Sequence, residues 1–389
     1  MNRLYRLFLI ASLLPAARGA AAVNTVRLAL PPAVYAVPGQ ECNIYFDNII
    51  LTTNWSNYAF DVDCARGRQD RARWRFTPLP ADVGRHPWKI KIYDAANCLV
   101  GEGGTEIIVS PADAGADQPV SLMIVGDSLT DASGYPRELY RLFQNPGNAK
   151  VTFIGSHSGS GKPIGGFAHE GYGGWTWKAF LTQWSTEEPQ HYRSKSKFLV
   201  EKDGKPVFDF KAYCEKNAGG KPPDFITIML GINDVGNAPE ENRETVIDGI
   251  LKNADTLIAG FLKDAPNAVI GVGLVVPPAA SQDAFGANYK CSLARWPYRC
   301  NQHRLVERMI VHFAGAKQKN VSLVPLHVNL DCENGYPTAE EPINAREPGM
   351  VLHQVNGVHP GRSGYLQIAD SFYGWLKFQL ARRFPGGKK

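Results

Sequence analysis

The sequence predicts an α/β domain built on a parallel five-stranded sheet, preceded by a small all-β sandwich. Three observations carry this. Short β-rich runs separated by turn signals fill residues 24 to about 110. Beyond residue 120, short apolar runs alternate with long helical patterns. Between the two lies "SPADAGADQP" (110–119), a Pro/Ala/Asp linker and the natural boundary.

In the first part, "NTVRLAL", "CNIYFDNIIL", "YAFDVDC", "RWRFTP", "PWKIKIYD" and "TEIIVS" are the expected strands. Turn residues in "VPGQ", "ADVGRHP" and "DAANC" separate them. Spacing of this kind suggests a β-sandwich over residues 23–112. The stretch "FTPLPADVGRHPWKIKIYDAAN" resembles the later strands of an immunoglobulin-like domain.

The second part spans 118–389. Its expected strands are "SLMIVGD" (121–127), "VTFIGS" (151–156), "FITIML" (225–230), "VIGVGLVV" (269–276) and "VSLVPL" (321–326). Nearly continuous apolar runs of this length suit strands covered on both faces, as in a parallel sheet. Helical spacing of Val246, Ile250, Leu257 and Phe261 marks one covering helix. "NQHRLVERMIVHFAGAKQ" and "SGYLQIADSFYGWLKFQL" mark two more, which makes the domain doubly wound. Residues 157–223, 277–300 and 327–356 are too long for plain connections and are expected to carry function or cover a site.

Composition narrows the class. With 44% hydrophobic and 20% charged residues, the chain is globular rather than disordered. Residues 1–22 read as a secretory signal peptide: Arg3 and Arg6, the apolar "LFLIASLL", then small residues for cleavage. The run is too short for a stable membrane anchor, so no membrane attachment is expected after cleavage, and the mature protein is expected to be secreted or periplasmic. Removing this leader takes away three arginines and no acid, so the net charge falls from +5 to +2. Near-neutral charge argues against a nucleic-acid partner. Seven cysteines fit an exported protein, with Cys291–Cys300 the expected disulfide and one pair possible among Cys42, Cys64 and Cys98. No cysteine spacing reads as a metal site. "GSHSGSGKP" (155–163) fails as a phosphate loop, because five residues separate Gly155 from Gly161 and Pro163 stands where a hydroxyl is needed.

Chemistry-bearing residues converge past the carboxyl ends of the strands, where open α/β sheets bind ligands. Gly126-Asp127-Ser128 ends the first strand. "HEGYGGWTW", with Gly173 and Gly174, follows the second. "LGIND", with Asn233 and Asp234, ends the third, and "NGVHPGRSGY", with His359, follows the fifth. A serine hydroxyl needs a base, and histidine is the usual one near neutral pH. The oxyanion formed on attack at an ester needs fixed donors. The backbone N–H of Ser128, that of Gly174 and the side-chain amide of Asn233 are the candidates.

These four blocks resemble the SGNH hydrolases, the GDSL esterase/lipase family, over about 120–385. Ser128 in "GDSLTD" matches the nucleophile block, Gly174 in "GYGGWT" the second, Asn233 in "GINDV" the third and His359 in "GVHP" the last. The resemblance implies a flavodoxin-like three-layer fold, no metal or other cofactor, and ester hydrolysis through an acyl-serine. It also implies an acylated carbohydrate or other small ester as substrate, with acetyl the expected acyl group. A lipase, lysophospholipase or thioesterase is the alternative within the family. A carbohydrate-binding protein with an impaired hydrolase site is the alternative outside it.

One position departs from the family pattern. Asn356 stands three residues before His359, where an aspartate is usual. Either Asn356 orients the imidazole without a charge, or a carboxylate elsewhere, such as Asp331, does so, or the site is impaired. Trp175 and Trp177 are expected in the core or, if exposed, as faces for a sugar ring. His169 and His353 are the other histidines expected near the cleft.

Overall fold

The computed structural model describes residues 26–162, 165–314 and 319–385. The expected leader (1–22), Pro163 and the last four residues of the basic tail lie outside them.

The N-terminal part comprises β1 (Ala33–Ala36), β2 (Cys42–Tyr45), a single helical turn α1 (Phe46–Ile49), β3 (Ala59–Asp63), β4 (Arg68–Gln69), β5 (Arg73–Phe76), β6 (Gly84–Tyr93) and β7 (Leu99–Val109). One sheet runs β1-β7-β6-β3 and the other β2-β5-β4. All pairings are antiparallel except β1 with β7. Period-two alternation explains the core. In β6, Trp88, Ile90 and Ile92 point inward while Lys89 and Lys91 face water. They meet Ile44, Trp74 and Ile107 in one apolar cluster.

The run expected as one strand over 42–51 instead breaks after Tyr45 into α1. There the Asn48 side-chain amide donates to the carbonyls of His327 (2.8 Å) and Leu330 (2.7 Å) of the second part. A strand would have alternated Phe46, Asn48 and Ile49 across two faces; the turn buries all three.

The second part is a parallel sheet wrapped by helices. Its first half contains β8 (Pro119–Gly126), α2 (Ser128–Asp131), α3 (Gly134–Phe143), β9 (Lys150–Ile154), β10 (Glu170–Gly171) and α4 (Trp177–Thr182). A hairpin follows, β11 (Leu199–Lys202) and β12 (Lys205–Phe208), then α5 (Phe210–Asn217), β13 (Phe225–Met229), α6 (Ile232–Val235) and α7 (Arg243–Asp264). The chain continues through β14 (Val269–Gly273), α8 (Gln282–Tyr289), α9 (Arg295–Ala314), β15 (Val321–Val324) and α10 (Leu326–Asn329). A second hairpin, β16 (Thr338–Asn344) and β17 (Glu347–Gln354), precedes α11 (Arg362–Arg383).

Every strand expected in this part is present, whereas in the N-terminal part the described residues of "NTVRLAL" form only an isolated bridge, Leu28 with Ile50, instead of the expected strand. The sheet runs β10-β8-β13-β14-β15, with β9 pairing the first half of β8 and β10 its last two residues. The short β10 is an addition to the five expected strands. All pairs are parallel. Strand order reverses at β8, so the crevice opens between the ends of β8 and β13. Alternate residues of β8 build opposite layers. Met123 and Val125 join the cluster of α7 and α9, while Leu122 and Ile124 join that of α3 and α11.

The expected disulfides are absent: all seven cysteines are free thiols. Cys291 is exposed in the turn before α9. Cys300 sits within that helix, in the electrostatic neighbourhood of Arg243 and Glu240. The eight-residue loop assumed between them is largely helix, which turns the two side chains to different surroundings.

Buried polar contacts join the two parts. Asn43 donates through its backbone and side chain to Asn329 Oδ1 (2.9 and 3.0 Å), and Arg299 donates to the Asp47 carbonyl (2.6 Å). His327 Nε2 meets the Ala29 carbonyl at 2.8 Å. Val328 of α10 completes the β-part core. Asn48→Ala, which strands two buried carbonyls, is expected to cost about 2–3 kcal/mol. Chemical denaturation measures this, and a loss under about 0.5 kcal/mol would contradict the bridging role.

Candidate active site

β8 delivers the first block. Gly126 is required at its end, since a Cβ there would lie 1.9 Å from Thr130 Oγ1. Asp127 caps α2 by accepting from the Leu129 N–H (3.0 Å). Ser128 is thus the first residue of α2, half-buried on the crevice edge.

The second block lies against it. β10 passes so close to α2 that a Cβ on Gly171 would fall 2.7 Å from the Asp131 backbone nitrogen. The chain then turns through Tyr172–Trp175, closed by the Trp175 N–H donating to the Tyr172 carbonyl (3.1 Å). Gly174 occupies the third position with φ +80°, the left-handed value a type II turn needs there. A Cβ on Gly173 would lie 4.0 Å from Ser128 Cβ. The Gly173 carbonyl accepts from Arg193 Nη1 (3.4 Å). In a trans peptide the following N–H, that of Gly174, points the opposite way. Among the described residues, neither this N–H nor that of Ser128 has a protein acceptor.

The third block is tied to the second. Asn233, exposed on α6, donates one amide hydrogen to the Trp175 carbonyl (3.0 Å) and keeps the other for a ligand. Asp234 Oδ2 accepts from the Trp177 N–H (3.4 Å). Burial pushes the carboxyls of both Asp127 and Asp234 up to about 7, and Asp234 adds a like-charge contribution at Asp127.

The fourth block brings His359. His359 Nε2 lies 2.9 Å from Ser128 Oγ. The loop carrying His359 is pinned at several points: Gly357 N–H to Asn288 Oδ1 (2.8 Å), Gly357 carbonyl to Ala279 N–H (3.0 Å) and Gly361 N–H to the Gly335 carbonyl (2.8 Å). Burial holds the His359 imidazole below its ordinary 6.5, and no charged neighbour contributes.

The expected partners of His359 Nδ1 lie elsewhere. Asn356 Oδ1 accepts from the backbone N–H groups of Val358 (3.1 Å) and His359 (2.8 Å), so Asn356 shapes the turn that bears the ring. Asp331 is occupied by the N–H groups of Glu333 and Asn334 (both 2.9 Å), by Asn334 Nδ2 (3.1 Å) and by Tyr45 OH (3.2 Å). Among the described residues, neither side chain hydrogen-bonds the imidazole.

Other expected cleft residues are also displaced. Trp175 and Trp177 are core, 6% and 1% exposed, with Trp175 stacked 4.2 Å from Tyr172. They offer no sugar platform. His169 is fully buried, bonded to Ser133 Oγ (3.0 Å) and the Gly171 N–H (3.1 Å). His353 pairs with Asp283 (3.4 Å) on the hairpin–α8 side. Sequence reading missed Arg193, which stands beside Gly173. Its only signal was its place in the long 157–223 segment. Among the described residues, no group of three or more His, Cys, Asp or Glu side chains is placed to hold a metal.

Comparison with known proteins adds the following. No curated protein sequence matches this chain. Similar solved folds include a family 3 carbohydrate esterase from Clostridium thermocellum, at 21% identity over 68% of this chain and 99% of that one, TM-score 0.41. A carbohydrate esterase family 3 structure from Talaromyces cellulolyticus matches at 14% identity over 68% and 99%, TM-score 0.40. An acetyl xylan esterase matches at 15% identity over 66% and 100%, TM-score 0.33. The model of the GDSL-like Lipase/Acylhydrolase family matches residues 122–372, well over half the chain. The chain therefore belongs to the GDSL-like lipase/acylhydrolase family and is a carboxylic ester hydrolase.

Proposed function

We propose that this hydrolase is an exported esterase that removes short acyl groups, chiefly acetyl, from carbohydrate, using Ser128 as nucleophile and His359 as base. The observation that carries the mechanism is the 2.9 Å contact between Ser128 Oγ and His359 Nε2 beside three unengaged donors. The polar surroundings of that edge, Asn233, Asp131, Tyr192 and Arg193, support a hydroxyl-rich substrate over a long acyl chain. The basic, apolar and small-residue order of residues 1–22 supports export.

In this mechanism Ser128 Oγ attacks the ester carbonyl carbon as His359 Nε2 takes its proton. The carbonyl oxygen becomes an oxyanion, held by the N–H groups of Ser128 and Gly174 and by Asn233 Nδ2. Collapse expels the sugar hydroxyl, protonated by His359. Water then cleaves the acyl-serine by the same route in reverse. His359 works without a hydrogen-bonded carboxylate. Asn356 is a positioning residue that holds the ring through its backbone. The N-terminal part supports the hydrolase fold through Asn43 and Asn48 rather than supplying a reacting group.

Ser128→Ala should lower kcat on an aryl acetate roughly a thousandfold or more, and Asn233→Ala about a hundredfold. Retained activity in Ser128→Ala would overturn the assignment. On an ester series from acetate to octanoate, kcat/KM should fall with chain length; a rise would favour a lipase-type reading.

The neutral imidazole is the competent form, and burial depresses its pKa. Activity should therefore be full at neutral pH and fall only as pH drops through a limb below 6.5. Asn356→Asp keeps the two backbone contacts but adds a negative charge near the ring, so the acidic limb in kcat/KM should move up. Asp331→Asn should lower thermal stability and leave the limb in place. A limb that moves with Asp331→Asn and not with Asn356→Asp would contradict the arrangement.

A further inference from the structure

Arg193 and the cleft beside it have no part in the chemistry described so far. The guanidinium is exposed, and among the described residues its one hydrogen bond is the long contact to the Gly173 carbonyl (3.4 Å). A Cβ on Gly173 would lie 3.1 Å from Arg193 Nη1 on one side and 4.0 Å from Ser128 Cβ on the other. Arg193 and the nucleophile thus flank the same glycine. Among the described residues, no carboxylate lies in ion-pairing distance of Arg193. Asp131, whose Oδ2 lies 3.6 Å from the same Cβ position on Gly173, is engaged by Tyr192 OH (2.8 Å) and the Ser160 N–H (2.5 Å). Arg193 Cζ lies 5.4 Å over the Tyr192 ring.

The same segment continues into a cleft of about 420 Å³. Residues 183–196 form a closed loop, with Trp184 bridged to Lys195 and the Ser196 N–H donating to the Gln183 carbonyl (2.9 Å). Trp184, Tyr192, Lys195, Lys197, Lys216 and Asn217 line the cleft. Lys195 sits 4.5 Å over the Trp184 ring, and among the described residues none of the three lysines makes an ion pair. No aspartate or glutamate is among the lining residues. Glu170 lies beneath, buried and bonded by Ser156 (2.9 Å), Tyr213 (2.7 Å) and Tyr172. Tyr192 is shared: it walls the cleft, and its hydroxyl binds Asp131 at the end of the nucleophile helix.

Three lysines, a half-buried tryptophan and an amide in one cleft, with the Arg193 guanidinium beside Gly173, match one ligand chemistry: among the described residues none of these four cations is in an ion pair, although Lys197 acts on the buried Glu170. We propose that the carbohydrate is anionic: a carboxylate-bearing sugar residue next to the ester is gripped by Arg193, and neighbouring acidic sugars run into the Lys195–Lys197–Lys216 cleft. A planar guanidinium takes a carboxylate through two parallel N–H donors. The lysines supply point charges along the chain, and aromatic faces suit sugar rings. This inference rests on the carbohydrate-esterase reading and names its substrate class.

The test compares kcat/KM on O-acetylated oligogalacturonides with that on O-acetylated xylo-oligosaccharides of equal length. The wild type should favour the acidic series about tenfold at low salt, and the preference should shrink as ionic strength rises. Arg193→Gln should reduce the acidic-to-neutral ratio about tenfold (about 1.4 kcal/mol), mainly through KM, and Arg193→Lys should restore part of it. Lys195→Gln/Lys197→Gln should lower the ratio more for longer oligomers than for shorter ones. A wild-type ratio near one, or a ratio unchanged in Arg193→Gln, overturns the acidic assignment while neutral sugar acetates remain substrates. Turnover of an aryl acetate with neither sugar series hydrolysed overturns the carbohydrate reading and this inference with it.

Discussion

The contact between Ser128 Oγ and His359 Nε2 joins residues 231 positions apart, and the rest of the molecule is arranged to make it. A hydroxyl and an imidazole on flexible loops would seldom meet at 2.9 Å. Here each is fixed by different means. Ser128 is placed by a buried parallel strand that ends in an obligatory glycine and a capped helical turn. His359 is placed by a loop whose backbone is bonded to Asn356, Asn288, Ala279 and Gly335. The proposed oxyanion donors are coupled to the same frame. β10 carries Gly174 against α2, and Asn233 holds the turn through the Trp175 carbonyl.

Much of this was legible in the sequence, and the reasons are physical. Strands buried on both faces need continuous apolar runs, so β8, β13, β14 and β15 announced themselves, while β9, half-exposed, showed by its β-rich residues. The residues expected at the crevice, Ser128, Gly174, Asn233 and His359, follow strands whose order dictates which edge they reach. What failed to show were properties that depend on tertiary contact. Asn356 could have faced the ring or the backbone; nothing local decides between them. Trp175 and Trp177 are buried because Tyr172, Phe180 and the end of β13 close around them, which no periodicity encodes. α1 reads as strand because β-rich residues flank it on both sides, yet it coils to bring Asn48 to carbonyls some 280 residues away. Cysteine spacing suggested a disulfide where a helix intervenes.

The N-terminal part belongs to the same mechanical account. Its contacts fall on α9, α10, α11 and the start of the loop after α10, and that loop supplies Gly335, which anchors Gly361 two residues beyond His359. Asp331, considered as a possible partner for the imidazole, instead cross-links Tyr45 of this part to the 333–334 turn. Its carboxylate is engaged in the fold, and His359, the proposed base, is placed by burial and backbone contacts. Neutral His359 is the form that burial favours, which suits a residue that must accept a proton at the start of each cycle.

The central claim is that Ser128 is the nucleophile facing donors from three separate blocks. The most direct measurement is a crystal structure of the protein inactivated by an alkyl phosphonate that mimics the tetrahedral intermediate. The account predicts a covalent bond to Ser128 Oγ, with the phosphoryl oxygen within about 2.7–3.1 Å of the Ser128 and Gly174 nitrogens and Asn233 Nδ2, and His359 Nε2 facing the leaving-group position. Modification at another residue, or a phosphoryl oxygen turned away from Gly174 and Asn233, would contradict it.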